Sequence, residues 1–146
     1  WLPTIAEFTG SGLPEKKIDG ASLVPLLTGK TTGAPHENFF FYYRTNELHA
    51  VRHKNWKLYV PHTSRSLNGR KGTNGGFPVP YEMNKIETAA LFDLESDPSE
   101  KNDVAQENAV LVAKISKIAD SVRAVLGDRL TGVKGNEVRP VGRIED

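Results

Sequence analysis

The spacing of hydrophobic positions along this chain of 146 residues is first helical, then strand-like, then helical again. Residues 2–9 place apolar side chains three apart, which predicts a short helix that Gly10 ends. A second stretch, "ASLVPLLTG", predicts one or two helical turns, because Pro25 prevents a longer helix. The leucines and isoleucines before His36 cannot bury one another, so we expect them to pack either on a partner outside this chain or on the domain that follows.

The middle of the chain, from Asn38 to Leu94, has the alternation of β-strands. Four stretches, "NFFFYYR", "LHAVRHK", "WKLYVPH" and "TAALFDL", each predict one strand. Lys54 and Asn55 separate the second stretch from the third and predict a hairpin turn. Since side chains alternate between the two faces of a strand, we expect one face of the resulting sheet to be apolar.

The last element is a long amphipathic helix, because its apolar residues recur at alternating spacings of four and three. The stripe is formed by Leu111, Ile115, Ile118, Val122 and Val125. Gly127 is placed to cap the helix, and residues 129–146 have no periodicity and predict an extended tail. The predicted fold class is therefore α+β, a four-stranded antiparallel sheet packed by a long C-terminal helix and preceded by a short helical segment.

Composition restricts the classes of function. The chain is 38% hydrophobic and 25% charged with a net charge of +1, which gives no general attraction to nucleic acid or to an anionic membrane. It has no cysteine, so it offers no disulfide framework, thiolate metal site or cysteine nucleophile. No apolar run approaches the roughly 18 residues of a membrane helix. We therefore expect neither nucleic acid nor membrane as a partner.

Several residue combinations could suggest chemistry, and most are better explained structurally. His49 and His53 are four apart in a predicted strand with few carboxylates nearby, so we interpret them as packed or solvated histidines and predict no metal site. The acidic run Asp93–Glu100 lacks the glycine and the glutamate of a calcium-binding EF-hand loop, and predicts a turn. His62 lies near Ser64, but there is no G-x-S-x-G motif and no predicted catalytic residue in this chain.

The segment from His62 to Pro80 differs from its surroundings, because glycines cluster in it and apolar alternation stops. Glycines can expose successive backbone N–H groups to an anion, and arginine pairs with two oxygens of a tetrahedral oxyanion. The candidate binding residues are His62, Arg65, Arg70 and Lys71. A mobile, solvated loop is the alternative, and composition alone leaves both open.

Four phrases in order carry a resemblance to a known family: "LPTIAEFTG", "IDGASLVPLLTG", "LHAVRHKNWKL" and "LFDLESDPSEKNDVA". Together they resemble the C-terminal third of arylsulfatase-type sulfatases, which belong to the alkaline-phosphatase-like superfamily. The long loop and the ending "GVKGNEVRPVGRI" resemble one microbial branch of these enzymes.

The resemblance implies a parent enzyme that hydrolyses sulfate esters. Its nucleophile would be a formylglycine made within a C/S-x-P/A-x-R motif, and a calcium ion held by aspartates and an asparagine would bind the sulfate oxygens. This chain has neither the motif nor the paired aspartates, so we expect the chain alone to be inactive.

The resemblance also implies a division of the chain. Residues 1–36 would end the large catalytic α/β domain, residues 37–128 would form the C-terminal subdomain, and residues 129–146 the tail. The loop after the "WKL" strand reaches the active-site mouth in some relatives, so the four candidate residues would contact the substrate.

The expected partners are the upstream catalytic domain and a sulfated small molecule or glycan, and the family suggests a periplasmic or secreted protein. Two alternatives stay open. One is a module that binds sulfated glycans without chemistry, using the candidate cations and Lys85. The other is a purely structural subdomain.

Overall fold

In the computed structural model, which describes residues 1–140 and 142, the backbone divides into two units, Trp1–Asn38 and Phe39–Asp146. The first unit contains two helices, α1 (Leu2–Thr9) and α2 (Val24–Leu27). Gly10 ends α1 in a left-handed conformation, with φ of 68°, as the sequence predicts.

The apolar stripe of α1 is exposed to solvent. Leu2, Ile5 and Phe8 are each more than half exposed, whereas the buried side of the helix carries Thr4. The Thr4 hydroxyl accepts a hydrogen bond of 3.0 Å from the backbone N–H of Leu23, which ties α1 to the segment that leads into α2. The first unit therefore holds its own two helices together but leaves an apolar surface uncovered.

Through residue 140 and at residue 142, the second unit contains six strands and one long helix. The strands are β1 (Asn38–Tyr43), β2 (Glu47–His53), β3 (Trp56–Tyr59), β4 (His62–Ser66), β5 (Glu82–Ile86) and β6 (Ala90–Asp93). Four of them form an antiparallel sheet in the order β1-β2-β3-β6, and this confirms the predicted fold class. The predicted hairpin turn joins β2 to β3, and Lys54 there has φ of 56°. One edge strand, β6, is covered, because the N–H of Val104 donates to the carbonyl of Leu91 at 2.9 Å.

The glycine-rich segment that starts at His62 begins with a strand rather than a loop. β4 pairs antiparallel with β5, from His62 opposite Ile86 to Ser66 opposite Glu82. The sequence left a mobile loop and an ordered binding segment both open, and residues 62–66 are ordered as a strand. The sequence pattern did not reveal this strand, because its residues are mostly polar. No residue of β4 or β5 belongs to the buried core, and apolar alternation arises from core residues.

The helix α3 (Ala109–Leu126) packs on one face of the four-stranded sheet. The buried core consists of Leu48, Val51, Leu58, Val60, Leu91, Ile115, Ala119 and Val122. Most of the predicted stripe lies in or against this core, but Leu126 takes the place of Val125. The helix-on-sheet arrangement is thus confirmed, with a small rotation of the apolar stripe near the end of the helix.

The end of α3 is closed by the chain that follows it. Gly127 caps the helix with φ of 80°, and a Cβ added there would lie only 2.8 Å from the backbone nitrogen of Gly135. The N–H of Asn136 then donates to the carbonyl of Ala124 at 3.0 Å. The returning chain thus satisfies carbonyls that the last turn of a helix would otherwise leave unpaired.

The predicted extended tail, residues 129–146, is described through residue 140 and at residue 142. In that part it has no helix or strand apart from an isolated bridge between Asp128 and Val133. The remaining positions of the prediction, 141 and 143–146, lie outside the described residues. Within the described part of the chain, none of the helices combines the length and the apolar character needed to cross a membrane.

Asp128 joins the end of α3 to the start of β2 and is fully buried. One carboxylate oxygen accepts hydrogen bonds from the backbone N–H groups of Leu48, at 3.3 Å, and Leu130, at 2.9 Å. The other accepts one of 2.8 Å from Nε of Arg123. This buried charge is therefore paired and hydrogen-bonded, as a buried carboxylate must be.

Candidate functional site

A concavity of about 620 Å³ lies on the face of the sheet that is turned away from α3. The side chains lining it include Phe41, Tyr43, His49, Lys57, Tyr59 and His62. They come from β1, β2, β3 and the start of β4, so the sheet and the two-stranded ribbon build the concavity together. We call it the sheet concavity.

The concavity depends on a slip in the alternation of β2. Leu48 and Val51 are three residues apart, yet both belong to the core. His49 and Ala50, which lie between them, both line the concavity. β2 pairs with β3 in regular register from Ala50, opposite Tyr59, to His53, opposite Trp56, so the slip lies between His49 and Ala50. The slip therefore directs the His49 side chain towards the concavity instead of the core.

Two imidazole rings stack in the concavity. The ring centroids of His49 and His62 are 3.9 Å apart, and the ring planes differ by 24°. Nδ1 of His62 lies 2.7 Å from the carbonyl oxygen of Val60, which can only accept, so this nitrogen is the donor. Nε2 of His49 lies 3.1 Å from a carboxylate oxygen of Glu47 and donates to it in the same way. The His62 ring is therefore held in a defined tautomer, and the contact with Glu47 fixes the orientation of the His49 ring.

Charges around this pair are arranged so that His49 faces a carboxylate. Glu47 is only 2% exposed and is also paired with Arg129. The hydrogen bonds from Arg129 and then from His49 lower the pKa of Glu47, so it stays ionised. Burial lowers the pKa of His62 below its ordinary 6.5, and the neighbouring His49 acts in the same direction, outweighing the hydrogen bond to Val60. His62 is therefore neutral at physiological pH.

Lys57 supplies a fixed positive charge at the wall of the concavity. Its Nζ lies 4.8 Å from the ring centroid of Phe41 and 4.7 Å from that of Tyr59, within cation–π range. Nζ also donates to the Tyr59 hydroxyl at 2.9 Å and pairs with Glu100 at 2.8 Å. Burial alone would lower the pKa of Lys57, but the bonds to Glu100 and Tyr59 raise it overall. The ammonium group thus stays charged.

The four residues proposed from the sequence separate into two pairs. His62 and Arg65 both line the concavity. Arg70 is paired with Glu82 across the base of the loop, and Lys71 is exposed on that loop, so neither belongs to the concavity lining. The structure therefore brings together His62 and Arg65, but not Arg70 and Lys71.

Sequence reasoning missed Glu47, His49 and Lys57 as parts of the site. One signal was available, because Glu47 and His49 are two apart in a strand and hence near one another on its surface. His53, four residues after His49, is not part of the concavity lining and contacts Lys114 of α3 at 3.1 Å. Across residues 1–140 and 142, no three histidine or acidic side chains are grouped so that they could hold a metal ion.

With this geometry in view, comparison with known proteins identifies the family. Residues 34–137 match the family model described as the C-terminal region of aryl-sulfatase. This match covers more than half of the chain, so the protein belongs to that family.

Among curated proteins, human steryl-sulfatase is 33% identical over 127 residues, covering 80% of this chain. Human arylsulfatase D is 31% identical over 132 residues, covering 83% of this chain. The chain spans 22% of the length of each of these relatives.

A solved structure is also similar, with a TM-score of 0.59 and 25% identity over 83% of this chain and 23% of that one. It is described with the words "Metabolism of multiple glycosaminoglycans by Bacteroides thetaiotaomicron is orchestrated by a versatile core genetic locus".

Proposed function

We propose that this chain is the C-terminal part of an enzyme that hydrolyses sulfate esters, and that the sheet concavity contacts the substrate. The observation that carries the proposal is the position of His62 and Arg65. Both come from the segment directly after β3, and both line one concavity that also holds the cation Lys57. A member of the aryl-sulfatase C-terminal family with cations in a concave site is suited to bind a sulfated molecule.

Each cation can contribute to substrate binding. The guanidinium of Arg65 is planar and always charged, so it can pair with two sulfate oxygens. Lys57, held between the rings of Phe41 and Tyr59, contributes less, because Glu100 at 2.8 Å already compensates much of its charge. Such contacts bind the ground state and the transition state alike, and they therefore lower KM more than they raise kcat.

The same proposal assigns a bracing role to the apolar surface of the chain. Residues 1–36 would complete the large catalytic domain, and residues 37–128 would form the smaller subdomain. The exposed side chains of Leu2, Ile5 and Phe8 on α1 support this role, since exposed apolar surface of this kind marks an interaction site. The partner in this account is the upstream catalytic domain.

The reacting groups would lie in that catalytic domain. Sulfatases resembling this chain imply a formylglycine and a calcium ion, but the residues described here do not fit either group. The sequence has no cysteine and no C/S-x-P/A-x-R motif, and its described part has no group of metal-binding side chains. We therefore derive no step of the hydrolysis from the residues of this chain.

The alternative of a glycan-binding module without chemistry is less well supported. It needs a field of uncompensated cations on the loop and on β5. Arg70, however, pairs with Glu82, and Lys85 pairs with Glu87 at 3.0 Å. These acidic neighbours reduce the attraction of a polyanion.

Steady-state kinetics test the proposed function in the longer protein that contains this region, with a sulfate ester as substrate. Arg65→Ala should raise KM about tenfold or more, because a hydrogen bond to a charged group contributes about 1.5–3 kcal/mol, and kcat should change little. Arg52→Ala is the matched control, since Arg52 is an exposed arginine of β2 that does not line the concavity.

Release of sulfate by the wild type and a KM effect confined to Arg65→Ala would support the proposal. An unchanged KM for Arg65→Ala, or no release of sulfate at all, would reject it. Arg70→Ala and Lys71→Ala in the same assay test the two remaining predicted residues.

A further inference from the structure

We infer that the sheet concavity accommodates a sugar unit carrying an anionic group, with a sugar hydroxyl donating a hydrogen bond to Nε2 of His62. The inference deepens the proposed function and rests on it in one respect, that the anionic group is a sulfate ester. It concerns the molecule attached to the sulfate, which the family membership alone leaves open.

His62 offers a hydrogen-bond acceptor to the concavity. Its Nδ1–H is already donated to Val60, so the neutral ring has its lone pair on Nε2. Among the described residues, every buried side-chain nitrogen or oxygen has a hydrogen-bond partner. Nε2 of His62 has no hydrogen-bond partner among these residues, so it is not a buried atom. It is therefore accessible from the concavity. A ligand that occupies the concavity must therefore bring a donor to Nε2.

The imidazole ring of His62 is held in place before any ligand binds. His62 stacks on His49 on one side, and the Val60 carbonyl fixes its rotation. His49 is in turn held by the buried carboxylate of Glu47. A hydrogen-bonding group supported in this way loses little conformational entropy when a ligand binds. The acceptor at His62 can therefore discriminate between ligands with and without a suitable hydroxyl.

The lining of the concavity suits a sugar better than an apolar ring system. Tyr43 provides flat aromatic surface that suits the C–H face of a sugar ring. The same concavity is lined by the acceptor of His62, the hydroxyl of Ser64 and the guanidinium of Arg65, and these polar groups need partners. A sterol would displace water from them without replacing its hydrogen bonds, at about 1–3 kcal/mol for each group left unpaired. A sugar offers hydroxyl groups, and its sulfate can face the cations.

One relative of this chain is named a steryl-sulfatase, and one similar structure is described in connection with glycosaminoglycans. These words concern those proteins and leave both ligand classes open for this one. The chemistry of the concavity decides between them. Sites built around hydrogen-bonding groups reject analogues that lack the matching hydroxyl far more strongly than apolar pockets reject an added one.

Isothermal titration calorimetry of the full 146-residue chain tests the inference with four probes. They are a sulfated N-acetylhexosamine, the same sugar without sulfate, estrone sulfate and inorganic sulfate. The sulfated sugar should bind at least about tenfold more tightly than each of the other three, since it alone satisfies the acceptor and the cations together.

Two variants locate the contact. His62→Phe keeps a stacking ring but removes Nε2, and it should weaken binding of the sulfated sugar about tenfold without weakening that of estrone sulfate. His36→Phe, the same change at an exposed histidine outside the concavity, should have no effect. Ser64→Ala removes a second polar group from the lining. It should also weaken binding of the sulfated sugar, and it provides an independent test if His62→Phe does not fold.

Equal or tighter binding of estrone sulfate, equal binding of inorganic sulfate, or no binding of any probe would overturn the inference. If the sulfated sugar binds but the longer protein releases no sulfate, the proposed hydrolysis fails while the ligand class stands. If the longer protein hydrolyses estrone sulfate in preference to the sulfated sugar, the ligand class fails while the proposed hydrolysis stands.

Discussion

Replacing Asp128 with alanine should destabilise the second unit severely, because it removes a buried acceptor on which three donors depend. These are the N–H groups of Leu48 and Leu130 and the guanidinium of Arg123. The bond to Leu48 is the longest, at 3.3 Å, and should contribute least. Removing one partner of a buried ion pair costs about 3–5 kcal/mol, a large share of the roughly 5–15 kcal/mol by which a typical domain is stable.

Urea unfolding followed by circular dichroism measures this loss directly. Asp120→Ala is the matched control, because Asp120 binds the same arginine at 3.0 Å but its side chain is 71% exposed. Its removal should change the free energy of unfolding by no more than about 1 kcal/mol. Asp128→Asn keeps an acceptor for the backbone and should fall between the two. A loss below about 1 kcal/mol for Asp128→Ala would refute the reasoning.

Two further predictions concern the core and the buried histidine. Ile115→Ala should lower the free energy of unfolding by about 2–5 kcal/mol in the same urea assay, because Ile115 is fully buried, whereas Val110→Ala, at an 88% exposed position of the same helix, should change it by less than about 0.5 kcal/mol. Equal effects would show that α3 does not pack on the sheet as described. The unfolded chain binds a proton at His62 more readily than the folded chain, so the free energy of unfolding should decrease as pH falls below 6.5. The decrease should be smaller in His62→Gln, and a pH profile identical to that of the wild type would contradict this cause.

The long helix and the four-stranded sheet could be predicted from the sequence because their patterns report local burial. The stripe through Ile115 and Val122 and the alternation on β3 both reflect which side chains meet the core. β4 could not be found in this way. Its strand pairs only with β5, and its residues, from His62 to Ser66, have no common apolar face.

The site was harder to predict because it depends on contacts between distant parts of the chain. Arg129 pairs with Glu47, 82 residues earlier, and no local pattern announces that pairing. The slip in β2 that turns His49 towards the concavity is likewise invisible in the alternation of "ELHAVRH", whose residues are nearly all buried. The sequence could suggest that His62 and Arg65 bind a ligand. Only the fold shows that His49 and Lys57 lie beside them.

The most direct test is to follow the imidazole resonances of the four histidines by NMR while the chain is titrated with the sulfated sugar. The imidazole resonances of His62 and His49 should shift in a saturable way, because both rings line the concavity. Those of His53, which contacts α3, and of exposed His36 should not move. Saturable shifts confined to the first pair are the predicted result, and equal shifts at all four histidines, or none at His62, would contradict the claim that the sheet concavity binds the substrate.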